Sequence, residues 1–236
     1  MVSERGKGKI IMKTFKYVAG LPELSPLETE EIDGRRFYLT PDGKKYPSIT
    51  TVLGHFKKQQ LKEWRDRIGH AEAQKITNRA ATRGTKFHNL MEKYLSNEKI
   101  LFENVMPDMK QAFKDFQKVI DNIDNIHYIE CQLYSEKLGV AGRTDVIGEF
   151  YGIPSVIDFK TSMKEKKEEH IQNYFEQATA YSEMYEELVG SPIHQIVVLI
   201  SVDGVPEPQV FIKNKSQYLD SLMEKINSYK KDHTCS

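Results

Sequence analysis

The sequence predicts an α/β (α+β) fold with one mixed five-stranded central sheet flanked by helices. Two observations lead to this fold class. Segments with helical periodicity precede three strand-like runs, which are followed by a helix, two more strand-like runs and a last helix. Within the three runs, Val140–Phe150 and residues 155–161 are separated by Tyr151-Gly152, a pair typical of the tight turn of an antiparallel hairpin. A chain of 236 residues is long enough to bury a substantial core around such a sheet.

The composition is typical of a folded globular protein, with 39% hydrophobic, 29% charged and 10% aromatic residues. Lysine plus arginine equals aspartate plus glutamate at 34 each, so the net charge gives no sign of a polyanionic partner. Any such partner must be held by local basic patches. The sequence contains no Walker A motif, so we expect no nucleotide cofactor and no built-in ATPase.

The cysteine and hydropathy patterns restrict the environment. Cys131 and Cys235, the two cysteines, exclude a disulfide framework and are too few for a four-cysteine zinc or iron–sulfur site, which favours a reducing compartment. No apolar run approaches the roughly 18 residues of a membrane span, so we expect no membrane partner. Residues 1–16 lack the apolar core of a signal peptide, and their basic character predicts a loose leader.

The chain divides into three regions that are expected to form a single compact domain. Residues 1–46 predict an irregular arm, because prolines, glycines and acidic residues interrupt every pattern, with a short hairpin over residues 35–46 around Pro41-Asp42-Gly43. Residues 47–125 predict a helical region, and residues 126–231 carry the sheet.

The helical region has a recognisable start, a break and a second stretch. A helix is predicted to begin near Val52, with Ser48 or Thr50 as its N-cap, and the helical pattern continues to Tyr94 with a break near Gly69 or Gly84. A further helix is predicted over residues 105–124.

Basic and aromatic side chains are interleaved near the start of this region, an arrangement that can hold phosphates and stack bases. The basic residues are Lys57, Lys58, Lys62 and Arg65. The alternative is an ordinary amphipathic helix in which Leu61, Trp64 and Ile68 are buried.

Farther along the helical region, His88 lies one turn before Glu92, beside an apolar stripe. A single histidine in such a position is usually a core or boundary residue.

The sheet region begins with a strand carrying Glu130. It also contains a helix on which Gln177 and Tyr181 share a face, and three final elements. The predicted ranges are a strand at 126–135, a helix from 164–169 to Leu188, strands at 194–201 and 209–213, and a helix at 216–230.

The hairpin centred on Tyr151-Gly152 places Asp145 directly opposite Asp158. Lys160 falls on the same face, because side chains alternate along a strand. Two carboxylates in one place repel each other unless a cation lies between them, and oxygen ligands at this spacing suit Mg²⁺ or Mn²⁺. The alternative is a pair of surface aspartates in ordinary ion pairs with Arg143 and Lys160.

A set of short motifs carries a family resemblance. They are PSIT with Ser48, RGTKFH with His88, Glu130, GRTD ending in Asp145, IDFKTS with Asp158 and Lys160, and QATAY with Gln177 and Tyr181. Together, over residues 46–230, they resemble the RecB-type branch of the PD-(D/E)XK nucleases. Within that branch they are most similar to the mitochondrial genome maintenance exonuclease and its phage and bacterial relatives. The second acidic position is Asp158 where many members carry glutamate, and the cysteines of the iron–sulfur subfamilies are absent.

The resemblance implies a restriction-endonuclease-like core that cleaves DNA with Mg²⁺ or Mn²⁺. His88, Asp145, Asp158 and the backbone carbonyl of Phe159 would bind the metal, and Lys160 would orient or activate the attacking water. Gln177 and Tyr181 would shape the site, with Glu130 and Glu92 in supporting roles. The residues expected to contact DNA are Ser48, Lys57, Lys58, Lys62, Arg65, Arg83, Lys86, Thr161 and Ser162.

The function expected from these residues is a DNA exonuclease that prefers single-stranded ends, in DNA replication, repair or recombination, with the helical region forming a channel for the strand. A flap endonuclease of the same chemistry and a non-catalytic DNA-binding clamp are the alternatives, and RNA remains open as a substrate. The expected compartment is the cytoplasm of a bacterium or of a virus-infected cell, with the mitochondrial matrix as the alternative.

Overall fold

The structure, a computed structural model, describes residues 12–234, and it describes the backbone but not the side chain of Thr234. Most of the predicted leader and Cys235 therefore lie outside the described residues. Within these residues, eight strands and six α-helices follow in chain order. They are β1 Glu28–Ile32, β2 Arg35–Leu39, β3 Lys45–Pro47, α1 Ile49–His55, α2 Lys58–Ile68, α3 His70–Leu95, α4 Pro107–Ile120, β4 Ile123–Ser135, β5 Val140–Phe150, β6 Ile153–Ser162, α5 Gln172–Val189, β7 Gln195–Val202, β8 Gln209–Asn214 and α6 Leu219–Thr234.

The central sheet has five strands in the order β4, β5, β6, β7, β8, and it is mixed. Strands β6 and β7 are parallel, and the other neighbouring pairs of this sheet are antiparallel. A parallel pair needs a crossover connection, and α5 provides it. The predicted fold class, a mixed five-stranded sheet flanked by helices, is confirmed.

The hairpin of β5 and β6 has the predicted two-residue turn. Tyr151 and Gly152 both have positive φ, 52° and 75°, as a tight hairpin turn of this length requires. The ladder runs from Phe150 opposite Ile153 to Val146 opposite Ile157, which is the predicted register. It ends one residue before Asp145 and Asp158, so the two aspartates lie where the strands separate.

The two faces of the sheet are covered by different helices, as the alternation of side chains along β6 requires. Ile157 and Phe159 pack on one face with α3 and α4, in a core that includes Phe87 and Phe116. Val156 packs on the opposite face with α1, α5 and α6. The strand end that carries Asp158 therefore has helices on both sides.

The N-terminal arm contains more structure than predicted. The hairpin of β2 and β3 is present around residues 40–44, but β1 pairs with β2 and makes a three-stranded antiparallel sheet. Ser48 then caps α1, because its Oγ accepts the Thr51 N–H at 3.0 Å. The predicted cap is confirmed.

Three helix boundaries differ from the predictions. The helical stretch before Tyr94 consists of three helices, and the break near its middle is at Gly69, with φ 89°, whereas Gly84 lies inside α3. Helix α4 ends at Ile120, because the apolar Ile123 begins β4. Helix α5 begins at Gln172 and not within residues 164–169, where charged residues have no apolar side to bury before Ile171.

No helix among residues 12–234 is both long enough and apolar enough to cross a bilayer.

Candidate active site

Asp145 lies at the point where β5 and β6 separate, and it connects the strands to α3. Its Oδ2 accepts the backbone N–H of Phe159 at 2.6 Å, so the carboxylate takes the place of a strand partner. Its Oδ1 lies 3.1 Å from Nδ1 of His88, which projects from α3. The side chain of Asp145 is only 12% exposed, and the histidine and the backbone hydrogen bond therefore hold it in one position.

Asp158 is the more deeply buried of the two aspartates, with 1% of its surface exposed. Its Oδ2 forms an ion pair with Nζ of Lys160, the next residue on the same face of β6. Gln177 on α5 donates from Nε2 to Asp158 Oδ1 at 3.2 Å and to the hydroxyl of Tyr181 at 3.0 Å. The predicted pair of α5 residues therefore reaches the predicted pair on β6.

Glu130 lies opposite Asp145 on β4, in a strained backbone conformation. Its φ is 49°, unusual for a residue with a side chain inside a strand, and such strain is often found at functional sites. The pairs on either side of it, Ile129 with Val146 and Cys131 with Thr144, keep one register. Glu130 Oε1 lies 4.0 Å from His88 Nδ1, and Oε2 pairs with Arg143 Nε at 3.0 Å.

The carboxylates of this site repel one another in the metal-free protein. Burial and the charge of Asp145 raise the pKa of Glu130 to about 7. Burial raises the pKa of Asp158 to about 6, with a further contribution from Asp145, although Lys160 opposes both. Burial alone would also raise the pKa of Asp145, but its hydrogen bond with His88 and the charges of His88 and Lys160 outweigh burial and lower it.

The two bases of the site are stabilised in their charged forms. Burial lowers the pKa of His88, but the hydrogen bond and the charge of Asp145 raise it above its usual value. Burial likewise opposes the charge of Lys160, and Asp158 and Asp145 outweigh it, so the pKa of Lys160 is raised. Lys160 is therefore an ammonium group at neutral pH, next to an aspartate whose own ionisation it favours.

The donor set fits a divalent cation. One ligand atom each from His88, Glu130 and Asp145 can lie within 4.8 Å of one another, and imidazole and carboxylate ligands together suit Mn²⁺ and related ions, while carboxylates suit Mg²⁺. This group differs from the predicted set, because Glu130 joins His88 and Asp145, whereas Asp158 is turned towards Lys160. Phe159 contributes its N–H to Asp145, and a role for its carbonyl stays a prediction.

The residues predicted to contact DNA fall into three groups. Lys58, Lys62 and Arg65 are exposed on α2, which buries no residue. Leu61 is 45% exposed and Trp64 and Ile68 are only partly buried, so the alternative in which all three are buried is wrong. Helix α2 packs mainly against α3.

The second group is already engaged in contacts within the protein. Ser48 is 2% exposed and caps α1, so its hydroxyl is not available at the surface. Arg83 forms an ion pair with Asp203 at 2.5 Å, in a cavity of about 820 Å³ between α3, α4 and the turn after β7. Ser162 Oγ donates to the carbonyl of Lys164 at 2.6 Å.

The third group is exposed or lies close to the site. Lys86 is exposed on α3, Thr161 is partly exposed at the end of β6, and Lys57 is partly buried beside α5. Glu92 is exposed one turn after His88, and its charge contributes to the raised pKa of Glu130.

The sequence did not indicate Tyr174, whose ring centre lies 5.2 Å from Nζ of Lys160. The available signal was its position on α5, one turn before Gln177, which places it near the same end of β6. The sequence predicts Arg143 as an ion-pair partner of the aspartates, whereas the structure pairs it with Glu130.

Comparison with known proteins finds similarity to two proteins that are named as exonucleases. It is 30% identical over 207 residues, 78% of its length, to mitochondrial genome maintenance exonuclease 1 of Homo sapiens. It is 26% identical over 128 residues, 51% of its length, to the protein of the same name from Mus musculus. The closeness predicted from the motifs is confirmed. The chain spans 58% of the length of the human protein and 38% of the mouse protein, and no family model matches it.

One solved structure, the crystal structure of SSO0001, aligns over 79% of this chain and 75% of its own, with a TM-score of 0.45 and 13% sequence identity.

Proposed function

We propose, from the relation to the mitochondrial genome maintenance exonucleases, that this chain is a metal-dependent deoxyribonuclease that removes nucleotides from DNA ends and prefers single strands. The observation that carries the proposal is the meeting of His88, Glu130 and Asp145 with the ion pair of Asp158 and Lys160 at one strand end. Three carboxylates and a histidine in partly buried positions are costly to a protein unless a cation or a substrate uses them.

His88, Glu130 and Asp145 are the residues that would hold the metal, and Asp158, at the same strand end, would be a further carboxylate ligand. When bound, a divalent ion supplies a water of lowered pKa and a positive charge for the phosphate oxygens. Asp145 fixes the ring of His88 through Nδ1. Arg143 orients Glu130 from the other side through Oε2.

Lys160 is proposed to orient the attacking water and to stabilise the charge that develops on the phosphate. The charges of Asp158 and Asp145 raise the pKa of Lys160 against the effect of burial, which favours its action as a hydrogen-bond donor and a positive charge. Asp158 has a pKa of about 6. It accepts a hydrogen bond from Gln177 and forms an ion pair with Lys160, and these two contacts hold its carboxylate at the strand end. Tyr181 supports Gln177 from the next turn of α5.

The proposed action on ends is supported by the relatives' names, and the proposed preference for single strands by the exposed basic residues of α2, which are Lys58, Lys62 and Arg65. Both relatives are named as mitochondrial proteins, which fits the second of the two compartments expected from the sequence, the mitochondrial matrix, and gives no support to the first.

The test is digestion of end-labelled linear single-stranded DNA, with circular single-stranded DNA and linear duplex in parallel, in Mg²⁺, Mn²⁺ and EDTA. We expect metal-dependent loss of the linear single strand alone, and no loss with Asp158→Ala. Cutting of the circle identifies an endonuclease. If DNA is bound and none is cut under any condition, the catalytic proposal is wrong and the chain is a DNA-binding clamp.

A further inference from the structure

Tyr174 lies close to two lysines from distant parts of the chain. Its ring centre is 5.2 Å from Nζ of Lys160, on β6, and 5.9 Å from Nζ of Lys57, just before α2. The residue itself belongs to the first turn of α5. One aromatic ring thus joins the proposed catalytic lysine to a second ammonium group, and the negative face of the ring favours both.

Lys57 lacks the counter-charge that its neighbours have. Its Nζ donates to Oδ1 of Asn173 at 2.6 Å, and it forms no ion pair with a carboxylate in the described part of the chain. By contrast, Lys225 donates to both carboxylate oxygens of Glu176 at 2.6 Å, and Lys160 pairs with Asp158. Lys57 is therefore a partly buried cation whose hydrogen-bond partner is neutral.

The surroundings of Lys57 are positive. Burial lowers its pKa, Lys225 and Lys166 lower it further by repulsion, and Glu176 offers only partial compensation. A buried cation among cations is costly, and an anion placed between them removes that cost. The contacts with Asn173 and Tyr174 keep the ammonium group in this position.

We propose that Lys57, Asn173 and Tyr174 form a phosphate subsite beside Lys160, which binds the DNA phosphate next to the one that is cleaved. The inference rests on the proposed function and extends it to how the strand is held. The ammonium group of Lys57 pairs with the phosphate oxygens. Asn173 uses its carbonyl oxygen for Lys57 and so keeps its amide N–H groups for the phosphate.

Tyr174 is the positioning residue of this subsite. Its ring contacts both ammonium groups and holds them beside each other, so that Lys160 can contact the scissile phosphate and Lys57 the neighbouring phosphate. An internucleotide phosphate and a terminal phosphate share the chemistry that such a subsite recognises, and the strand polarity decides which of them is present.

The experiment compares Lys57→Gln with Lys213→Gln in the full chain. Lys213 is a matched control, because its Nζ also lies 5.9 Å from an aromatic ring, that of Phe175, but it has a carboxylate partner in Glu168 at 2.7 Å. Affinity is measured in EDTA as a function of salt, and cleavage in Mn²⁺. The probes are single-stranded oligonucleotides with hydroxyl ends, with a 5′-phosphate or with a 3′-phosphate, and a series in which one linkage at a time is a methylphosphonate.

We expect Lys57→Gln to weaken binding about five- to tenfold and to reduce the slope of log affinity against log salt by about 0.7, the value for one lost phosphate contact on a single strand. Lys213→Gln should remain within about twofold of the wild type. The loss caused by Lys57→Gln should vanish either when one particular linkage is uncharged or when the terminal phosphate is missing. The first outcome assigns the subsite to an internucleotide phosphate and the second to a terminal one.

The subsite is excluded if Lys57→Gln weakens binding no more than Lys213→Gln, or if its effect is the same on every oligonucleotide. That result leaves the nuclease proposal standing whenever the wild type still cuts. Conversely, a wild type that binds with the expected phosphate dependence and cuts nothing retains the subsite and rejects the nuclease.

A second pair of variants tests the ring. Tyr174→Leu removes the ring and should raise KM and lower kcat more than Tyr174→Phe, which keeps the ring beside both lysines. If Tyr174→Phe is as impaired as Tyr174→Leu, the hydroxyl acts and the proposed role of the ring is wrong.

Discussion

Gly142 on β5 lies against the ring of Tyr181 on α5, so closely that a Cβ at position 142 would be 2.7 Å from Cε1 of the tyrosine. The same atom would be 3.2 Å from Cγ2 of Ile49. The glycine of the GRTD motif therefore allows α5 to approach the sheet at the height where Gln177 and Tyr181 reach Asp158.

Gly142→Ala is expected to displace Tyr181 and with it Gln177. We expect a loss of about 1–3 kcal/mol in the free energy of unfolding, typical of an overpacked core, and a larger proportional loss in kcat than in DNA affinity. Gly54→Ala in α1 is the control, since no atom lies within 4 Å of its Cβ and alanine favours helix. Denaturant unfolding and single-turnover cleavage give both quantities. A Gly142→Ala protein that is destabilised but has an unchanged kcat would show that the position of Tyr181 does not affect catalysis.

Glu130→Gln should stabilise the metal-free protein and weaken metal binding. The pKa of Glu130 is raised from 4.5 to about 7, so the folded state holds its proton more tightly than the unfolded state, and stability falls as the pH rises between these values. The shift corresponds to about 3 kcal/mol at most. Unfolding in EDTA at pH 5 and pH 8 should show a smaller pH dependence for Glu130→Gln than for the wild type.

The same variant separates stability from metal affinity. Mn²⁺ should raise the thermal midpoint of the wild type, because an ion that binds only the folded state stabilises it. Glu130→Gln should show a reduced rise. Glu130 is not a metal ligand if two results are obtained together. The wild type and Glu130→Gln would show the same pH dependence of unfolding in EDTA, and Mn²⁺ would raise the thermal midpoint of both proteins equally.

The ion pair of Asp158 and Lys160 predicts a strong coupling between two substitutions. Lys160→Met leaves a buried carboxylate without its cation, and Asp158→Asn leaves an ammonium group without its anion, so each should cost about 3 kcal/mol of stability. The double variant should recover about 1–3 kcal/mol relative to the sum, and all three should fail to cleave DNA. Additive stability changes would show that the two side chains do not pair in solution.

Arg83 is expected to act as a structural residue, because Asp203 already neutralises it. Arg83→Gln should cost about 1 kcal/mol of stability and change the affinity for single-stranded DNA less than Lys86→Gln does. Asp203→Asn, which releases the guanidinium, should strengthen DNA binding. A larger loss of affinity for Arg83→Gln than for Lys86→Gln would identify Arg83 as a DNA contact.

The positions of the site residues on β5 and β6 can be predicted from the sequence, because they depend only on the turn and the register of one hairpin. A two-residue turn fixes a register, and the register places Asp145, Asp158 and Lys160 together without knowledge of any other element. The helical spacing of Gln177 and Tyr181 is equally local.

The remainder depends on how separate elements pack. That His88 meets Asp145 follows from the position of α3 over one face of the sheet, and the left-handed backbone of Glu130 has no signature in the residues around it. The contact of Lys57 with Tyr174 joins the start of α2 to the start of α5. The hydrophobic periodicity of either segment gives no indication of this contact. The early start predicted for α5 was wrong because charged residues favour a helix only where an apolar side can be buried.

The spread of the site along the chain also bears on biogenesis. His88 and Asp145 are 57 positions apart, Asp158 follows only after the hairpin has turned, and Gln177 reaches Asp158 from the helix that crosses over to β7. Contacts of such long sequence separation form late in folding, since the intervening loops must close first. A ribosome-bound chain that has not yet produced α5 therefore lacks the contact of Gln177 with Asp158, and under the proposed function its active site is still incomplete.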